Sequence, residues 1–295
     1  MKILLFGANG QVGWELQRSL SLMGELVALD RTNPDLCGDL TDLTGIKNTV
    51  QRVAPHVIVN AAAYTAVDKA ESNAAAAQLV NAAAPGAMAH AANAAGALLV
   101  HYSTDYVFDG SGSTPWVETD ATGPLNVYGT TKLAGEKLVA SHCPNHLIFR
   151  TSWVYAARGG NFAKTMLRLA AERETLSVIN DQFGAPTGAD LLADATAHAI
   201  RHVLSRPQDR GTYHLAAAGQ TTWYEYAKYA VAQQILAQVA PEIIVKEIRP
   251  VATSAFPTAA RRPHNSRLNT ARFQQTFGLQ LAPWQQGVKR MLAEI

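Results

Sequence analysis

The run Lys2–Phe6, followed at once by Gly7-Ala8-Asn9-Gly10-Gln11-Val12-Gly13, constrains this chain more than any other feature. An apolar run that ends in glycines spaced G-x-x-G-x-x-G and then turns helical is a strand, a tight turn and a helix start. Such a turn gathers unpaired backbone amides and the positive end of a helix dipole with few side chains in the way, which suits a pyrophosphate. The spacing alone decides little. Asp30 adds to it by closing the next apolar run, Leu26–Leu29, where a carboxylate accepts hydrogen bonds from an adenosine ribose. Gly7, Gly10, Gln11, Val12 and Gly13 are therefore the expected phosphate loop of a dinucleotide. Asp30 favours NADH because it repels a 2′-phosphate, while Arg31 beside it would receive one, so NADPH and NADH both stay open. Asp39 and Leu40 would lie beside the adenine or form an ordinary helix cap.

Further runs repeat the rhythm. Val57–Asn60, Leu98–Ser103 and Leu147–Phe149 read as strands, and Val12–Leu22, Leu43–Val53, Ala74–Ala95 and Val127–Ala140 as helices between them. Strand and helix alternating over 150 residues predict a Rossmann-type α/β fold, a doubly wound parallel sheet covered on both faces. Beyond residue 150 the order loosens. A strand at Leu176–Ile179, helices at Leu191–Val203 and Trp223–Gln238, a strand at Ile243–Ile248, a loop over Arg249–Arg267 and two short helices near Thr270–Phe277 and Trp284–Ala293 predict a smaller C-terminal α/β lobe. The expected division is residues 1–150 for the dinucleotide and 151–295 mainly for substrate, with segments around 176–204 returning to the first domain.

Charge narrows the partners. Twenty-five basic against 23 acidic side chains leave +2, too weak a field to make nucleic acid or an anionic membrane the main partner. No window approaches the roughly 18 apolar residues of a membrane span, and two cysteines without a CxxC fit a reducing compartment, so the cytoplasm is expected.

The strand Leu98–Ser103 delivers Thr104 and Asp105 at its carboxyl end, where open α/β sheets bind ligands. Tyr128 and Lys132 follow, four apart on one helix face. A phenol that exchanges protons near neutrality must drop roughly 3 units from its ordinary value near 10, which is about 4 kcal/mol. An ammonium about 5 Å away supplies on the order of 3 kcal/mol at an effective dielectric near 20. Tyr224 and Lys228 repeat the spacing, but amid Trp223, Tyr226 and Tyr229 and away from any strand end they read as a packed aromatic face.

These segments carry a resemblance. Leu4-Leu5-Phe6-Gly7, Asn60-Ala61-Ala62-Ala63-Tyr64-Thr65, Ser103-Thr104-Asp105-Tyr106-Val107-Phe108, Tyr128-Gly129-Thr130-Thr131-Lys132, Arg150-Thr151-Ser152-Trp153-Val154-Tyr155 and Arg262-Pro263-His264-Asn265-Ser266-Arg267-Leu268 resemble the extended short-chain dehydrogenase/reductases, and within them the sugar-nucleotide reductases of dTDP-rhamnose biosynthesis. The resemblance implies hydride transfer from NADPH or NADH to a 4-keto sugar nucleotide. It implies Tyr128 as proton donor, Lys132 as its tuning group on the nicotinamide ribose, and Thr104 as a hydrogen-bond partner of the carbonyl. Ala62, Ala63, Tyr64 and Thr65 would pass along the cofactor, and Asp105 and Trp153 would touch the sugar nucleotide. Arg261, Arg262 and Arg267 form the densest basic cluster and suit its diphosphate. Asn81 matches a helix asparagine of the superfamily, or is one satisfied by nearby backbone.

Mg²⁺ is associated with the family, yet no carboxylate cluster is preformed, and Glu15, Asp190 and Glu294 would meet only through the fold or a homodimer. His198 and His202 share a helical face, but no HExxH glutamate accompanies them and a surface or interface pair is expected. No G-x-S-x-G marks an α/β-hydrolase. A dehydratase would carry glutamate after Asp105 where this chain has Tyr106, and a non-catalytic regulatory subunit would need no tuned phenol.

Overall fold

The computed structural model describes residues 1–238 and 242–295. Six strands, β1 (Lys2–Phe6), β2 (Glu25–Leu29), β3 (Val57–Asn60), β4 (Leu98–Thr104), β5 (His146–Thr151) and β6 (Gly211–His214), form one sheet in the order β6-β5-β4-β3-β1-β2. Every pairing in it is parallel. All residues of β3 and β4 are buried, as apolar strands covered on two faces must be. Alternate side chains feed separate cores. Ile3, Leu5, Val57, Val59 and Val100 meet residues of helices Gln11–Ser21 and Ala189–Ser205, while Leu4, Phe6, Ile58 and Leu99 meet those of Leu43–Val53 and Ala84–Ala94. The chain leaves β1 for β2 on one side and returns to β3 on the other. That reversal opens a crevice at the carboxyl ends of β1 and β3, the place where ligands enter such sheets.

The smaller lobe pairs Thr175–Ile179 with Glu247–Val251 in parallel. Helices Phe162–Glu172, Trp223–Ala237 and Trp284–Leu292 pack on it through Leu167, Tyr226, Trp284 and Val288. The strand expected at Ile243–Ile248 begins instead at Glu247 and continues through Pro250. An outer strand tolerates a proline because a missing amide there breaks no ladder. The amides of Ile244 and Val245 turn to the Ala170 carbonyl.

Other elements were hidden in the pattern. Helix Phe162–Glu172 adds to the elements expected from the sequence, and β6 (Gly-Thr-Tyr-His) has no apolar run; it is a strand because Thr212 and Tyr213 align with Ile148 and Phe149 of β5. The stretch expected as Ala74–Ala95 is helical to Ala94, but its middle turn, Leu79–Ala83, is wound as a π-helix, and a separate helix, Val67–Ser72, precedes it. Helix Ala189–Ser205, β6 and Phe273 of helix Ala271–Phe277 all join the main sheet or its core, so that body draws on residues well beyond 150. No helix among the described residues is long and apolar enough to cross a membrane.

Candidate active site

At the crevice, Gly7 sits at φ +86°, and a Cβ there would lie 2.7 Å from the amide nitrogen of Ala62, against the backbone that leaves β3. A Cβ on Gly13 would strike the Gly7 carbonyl. Gly10 is different. The nearest protein atom to a Cβ there is 3.4 Å away, so the chain itself does not demand glycine. Gly10 is the N-cap of helix Gln11–Ser21 and caps it with no side chain, so the first amides of that helix keep their hydrogen-bonding capacity for an anion.

This loop forms one end of a cleft of about 710 Å³. Of the expected residues, Gly7, Gly10, Gln11, Val12, Ala62, Ala63 and Thr65 line it at this end, and Thr104, Asp105, Tyr128, Lys132 and Trp153 at the other. Gly13, Asp30, Arg31, Asp39, Leu40, Tyr64, Arg262 and Arg267 do not line it. The buried Gln11 Oε1, Ser103 Oγ, Asp105 Oδ2 and Thr151 Oγ1 have no protein partner, and all four belong to residues of the cleft wall. A cradle of glycines, an uncapped helix start and unpaired polar atoms along one groove fit a dinucleotide with a polar substrate beside it.

Asp30 accepts from the Thr32 amide (2.8 Å) and hydroxyl (3.0 Å) and from Asn9 Nδ2 (2.6 Å), and the Thr32 bonds above all hold its carboxyl below its ordinary value. Arg31 is exposed and pairs with Asp39 at 3.0 Å. Tyr64 is held through its backbone: Asn81 accepts from its amide (2.8 Å) and donates to its carbonyl (3.1 Å). Asn81 lies in the π-wound turn and is thus satisfied by backbone, with a third bond to Thr131.

The acid–base residues stand on β4 and on helix Val127–His142. Asn126 caps that helix by accepting from the Gly129 amide at 2.8 Å, which fixes the height at which Tyr128 and Lys132 emerge. Burial pushes the Tyr128 hydroxyl up to about 12, and the polar Thr104 side chain acts against that rise. Lys132 does not offset it. Its ammonium nitrogen, held almost out of solvent, donates to the Tyr102 carbonyl at 2.6 Å and lies 3.4 Å from His101 Nε2. The Lys132 nitrogen is thus turned toward β4 of the sheet. Burial lowers Lys132 itself to about 8.

Asp105 is 3% exposed, accepts from Thr104 at 3.0 Å, and is raised by burial to about 7. Trp153 adopts φ +48°, costly for a bulky residue, and lies flat on Trp223 with ring centroids 3.6 Å apart. Trp223 also lines the cleft. It sits beside the rejected Tyr224–Lys228 pair, and nothing local in the sequence sets it apart; only the fold brings it to Trp153. Lys228 reaches Glu225 and the Tyr224 ring.

The arginines are engaged elsewhere. Arg262 pairs with Asp68 at 2.6 Å and also donates to the Ala260 carbonyl. Arg267 bonds Asn265 (2.7 Å) and Gln220 (3.3 Å) and covers the Phe183 ring; Arg261 is exposed. Glu15, Asp190 and Glu294 do converge, around a separate cavity of about 270 Å³. Arg18 lies 3.6 Å from Glu15, and Arg290 lies 3.5 Å from Asp190 and 3.3 Å from Glu294, so these guanidinium groups already answer the carboxylates. Among the described residues no group of His, Cys, Asp or Glu is arranged to hold a metal ion. His198 bonds the Phe277 carbonyl and His202 bonds Asp209, separate structural contacts.

The family model described as RmlD substrate binding domain matches residues 1–295. A dTDP-4-dehydrorhamnose reductase of Shigella flexneri is 61% identical over 295 residues, covering 100% of this chain and 98% of the relative. The crystal structure of a dTDP-4-dehydrorhamnose reductase from Clostridium acetobutylicum superposes with a TM-score of 0.89 at 35% identity, covering 99% of each chain. That of Bacillus anthracis, in complex with NADP, gives 0.87 at 35% identity, covering 100% of this chain and 99% of the other. The chain belongs to the dTDP-4-dehydrorhamnose reductase family.

Proposed function

We propose that this chain reduces the 4-keto group of dTDP-4-dehydro-β-L-rhamnose to give dTDP-β-L-rhamnose, using NADPH or NADH. The observation that carries the reading is the union in one cleft of a glycine cradle with Thr104, Tyr128 and Lys132. A reduced nicotinamide, when bound, supplies the hydride to C4. Tyr128 gives its hydroxyl proton to the forming C4 alkoxide, and its high pKa keeps that proton in place until the alkoxide develops. Thr104, which lines the same end of the cleft as Tyr128, holds the carbonyl oxygen in line with the phenol. Lys132 holds the cofactor ribose and returns a proton to the site.

Asp105 presents its unpaired oxygen to a sugar hydroxyl, and Trp153, backed by Trp223, gives the sugar a flat wall. Arg262 and Arg267 receive the diphosphate once their present partners are displaced. The sheet body holds the dinucleotide and the smaller lobe the sugar nucleotide, in the cytoplasm and as a homodimer. Tyr106, in place of a dehydratase glutamate, leaves elimination without its second proton-transfer group. The test is loss of reduced-cofactor absorbance on adding the keto-sugar nucleotide, with each cofactor and with and without EDTA. Oxidation with rhamnosyl product supports the reading; no oxidation with either cofactor overturns it.

A further inference from the structure

Asn60 and His101 form a buried polar pair that takes no part in these steps; each is 1% exposed. They are register partners on β3 and β4. The Asn60 amide has one orientation in this network. Its Oδ1 accepts from the Ala62 amide at 3.1 Å, on the backbone against which Gly7 packs, so its Nδ2 is left facing His101 Nδ1, also at 3.1 Å. A neutral imidazole carries one proton, and with Nδ1 accepting from Asn60 that proton belongs on Nε2. His101 Nε2 lies 3.4 Å from Lys132 Nζ. An ammonium offers only donors and would oppose Nε2–H donor to donor. An amine offers one lone pair and accepts from it, while still donating to the Tyr102 carbonyl.

We propose that Asn60 and His101 are positioning residues that ready Lys132 to release a proton: Asn60 fixes the imidazole tautomer, and the Nε2–H donates to the lone pair that the departing proton leaves. This rests on Tyr128 as proton donor. After the phenol has given up its proton, Tyr128 phenolate and Lys132 ammonium become phenol and amine; one O–H bond forms, one N–H bond breaks and the net charge is unchanged. The amine then recovers a proton from solvent.

The charged surroundings agree. Burial keeps His101 neutral, with the Lys132 charge acting in the same direction, and burial lowers Lys132. Glu136 on the same helix favours the ammonium, but Arg150 from β5 grips it at 2.7 and 3.0 Å. Tyr128 one turn away, Asp105 at the end of β4, and the Tyr102 and Tyr106 phenols, both raised by burial, are the other titratable groups at this end of the cleft.

The tautomer is directly measurable by nitrogen NMR of the full chain labelled with ¹⁵N-histidine. A protonated Nε2 and bare Nδ1 on His101 are expected across neutral pH; a proton on Nδ1 overturns the proposal without any assay of turnover. Asn60→Asp puts two acceptors at position 60 and forces the proton to Nδ1. The alkaline limb of kcat should then move up by about one pH unit or more, and kcat near neutrality should fall about tenfold. The same substitution in a His101→Phe background isolates the added charge: the shift should vanish there, and a shift that persists overturns the proposal. An active Tyr128→Phe enzyme would remove the parent reading and this one together, whereas an inactive one beside an unmoved Asn60→Asp profile would remove only this one.

Discussion

Arg262 holds Asp68 through two hydrogen bonds of 2.6 and 3.1 Å, and Asp68 also accepts from the Ala260 amide, so this one carboxylate fastens the C-terminal arginine loop to helix Val67–Ser72. Asp68 is kept below its ordinary carboxyl value chiefly by the Arg262 bond. Both side chains keep some solvent contact, so the pair contributes only about 1 kcal/mol. Arg262→Ala should raise KM for the sugar nucleotide about fivefold or more if the guanidinium moves to the diphosphate. Asp68→Asn releases that guanidinium and should leave KM within about twofold of the parent. Equal rises in both variants would make Arg262 a clasp and not a phosphate ligand.

Removal of the Tyr128 hydroxyl should be felt in turnover and hardly at all in cofactor affinity. Tyr128→Phe keeps the ring that packs edge-on against Tyr106 and deletes only the proton donor. Turnover should fall roughly 10² to 10⁴-fold with the cofactor Kd nearly constant, read by single-turnover kinetics and by titration of cofactor fluorescence.

Lys132 is costly to the fold. Its folded value of about 8 lies below the ordinary 10.5, so between those pH values the unfolded chain binds a proton that the folded chain has released. Stability therefore rises with pH through that window, and at pH 7 the buried ammonium costs on the order of 3 kcal/mol. Lys132→Met should abolish reduction yet raise the urea midpoint at pH 7, with the advantage shrinking toward pH 10. An unstable methionine variant at pH 7 would mean that the bond to the Tyr102 carbonyl outweighs the desolvation.

For Asp105 the sign is opposite. A carboxyl raised from 3.8 to about 7 keeps its proton in the folded chain where the unfolded chain has lost it. Stability is then lost as pH climbs through that window, and the full penalty, as much as ~4 kcal/mol, stands above it. Asp105→Asn should be more stable than the parent at pH 8 and nearly equal to it at pH 4, by urea melts at each pH. Its KM for the sugar nucleotide should rise, since an amide cannot accept through both of its polar atoms.

What could be read beforehand was local. Lys2–Phe6 with its glycines, the strand ending at Thr104 and the Tyr128–Lys132 spacing each lie within a few residues of sequence, where backbone geometry and side-chain periodicity act directly. The smaller lobe resisted because its elements are set by distant partners: β6 is a strand only beside β5, and Trp223 reaches the cleft only by stacking on Trp153. The orientation of Lys132 resisted for the same reason, since His101 and the Tyr102 carbonyl lie on another strand. Arg262 looked like a free cation because its partner, Asp68, stands 194 residues away.

Cofactor choice turns on Asp30 and Arg31, whose bonds point in different directions. Asp30 is tied by the Thr32 amide and hydroxyl on one oxygen and by Asn9 on the other, so an adenosine ribose must share or displace the Asn9 contact. Arg31 pairs with Asp39 but is otherwise open to solvent, and that exposed bridge is weak enough to yield to a phosphate. Asp30→Ala removes the repulsion and should shift the ratio of kcat/KM toward NADPH, while Arg31→Ala should shift it toward NADH, each by about fivefold to tenfold. Asp39→Asn tests the coupling: freeing Arg31 should favour NADPH as Asp30→Ala does. A ratio unmoved in all three variants would place the 2′ end of the cofactor away from this corner and leave discrimination to backbone amides of the glycine loop.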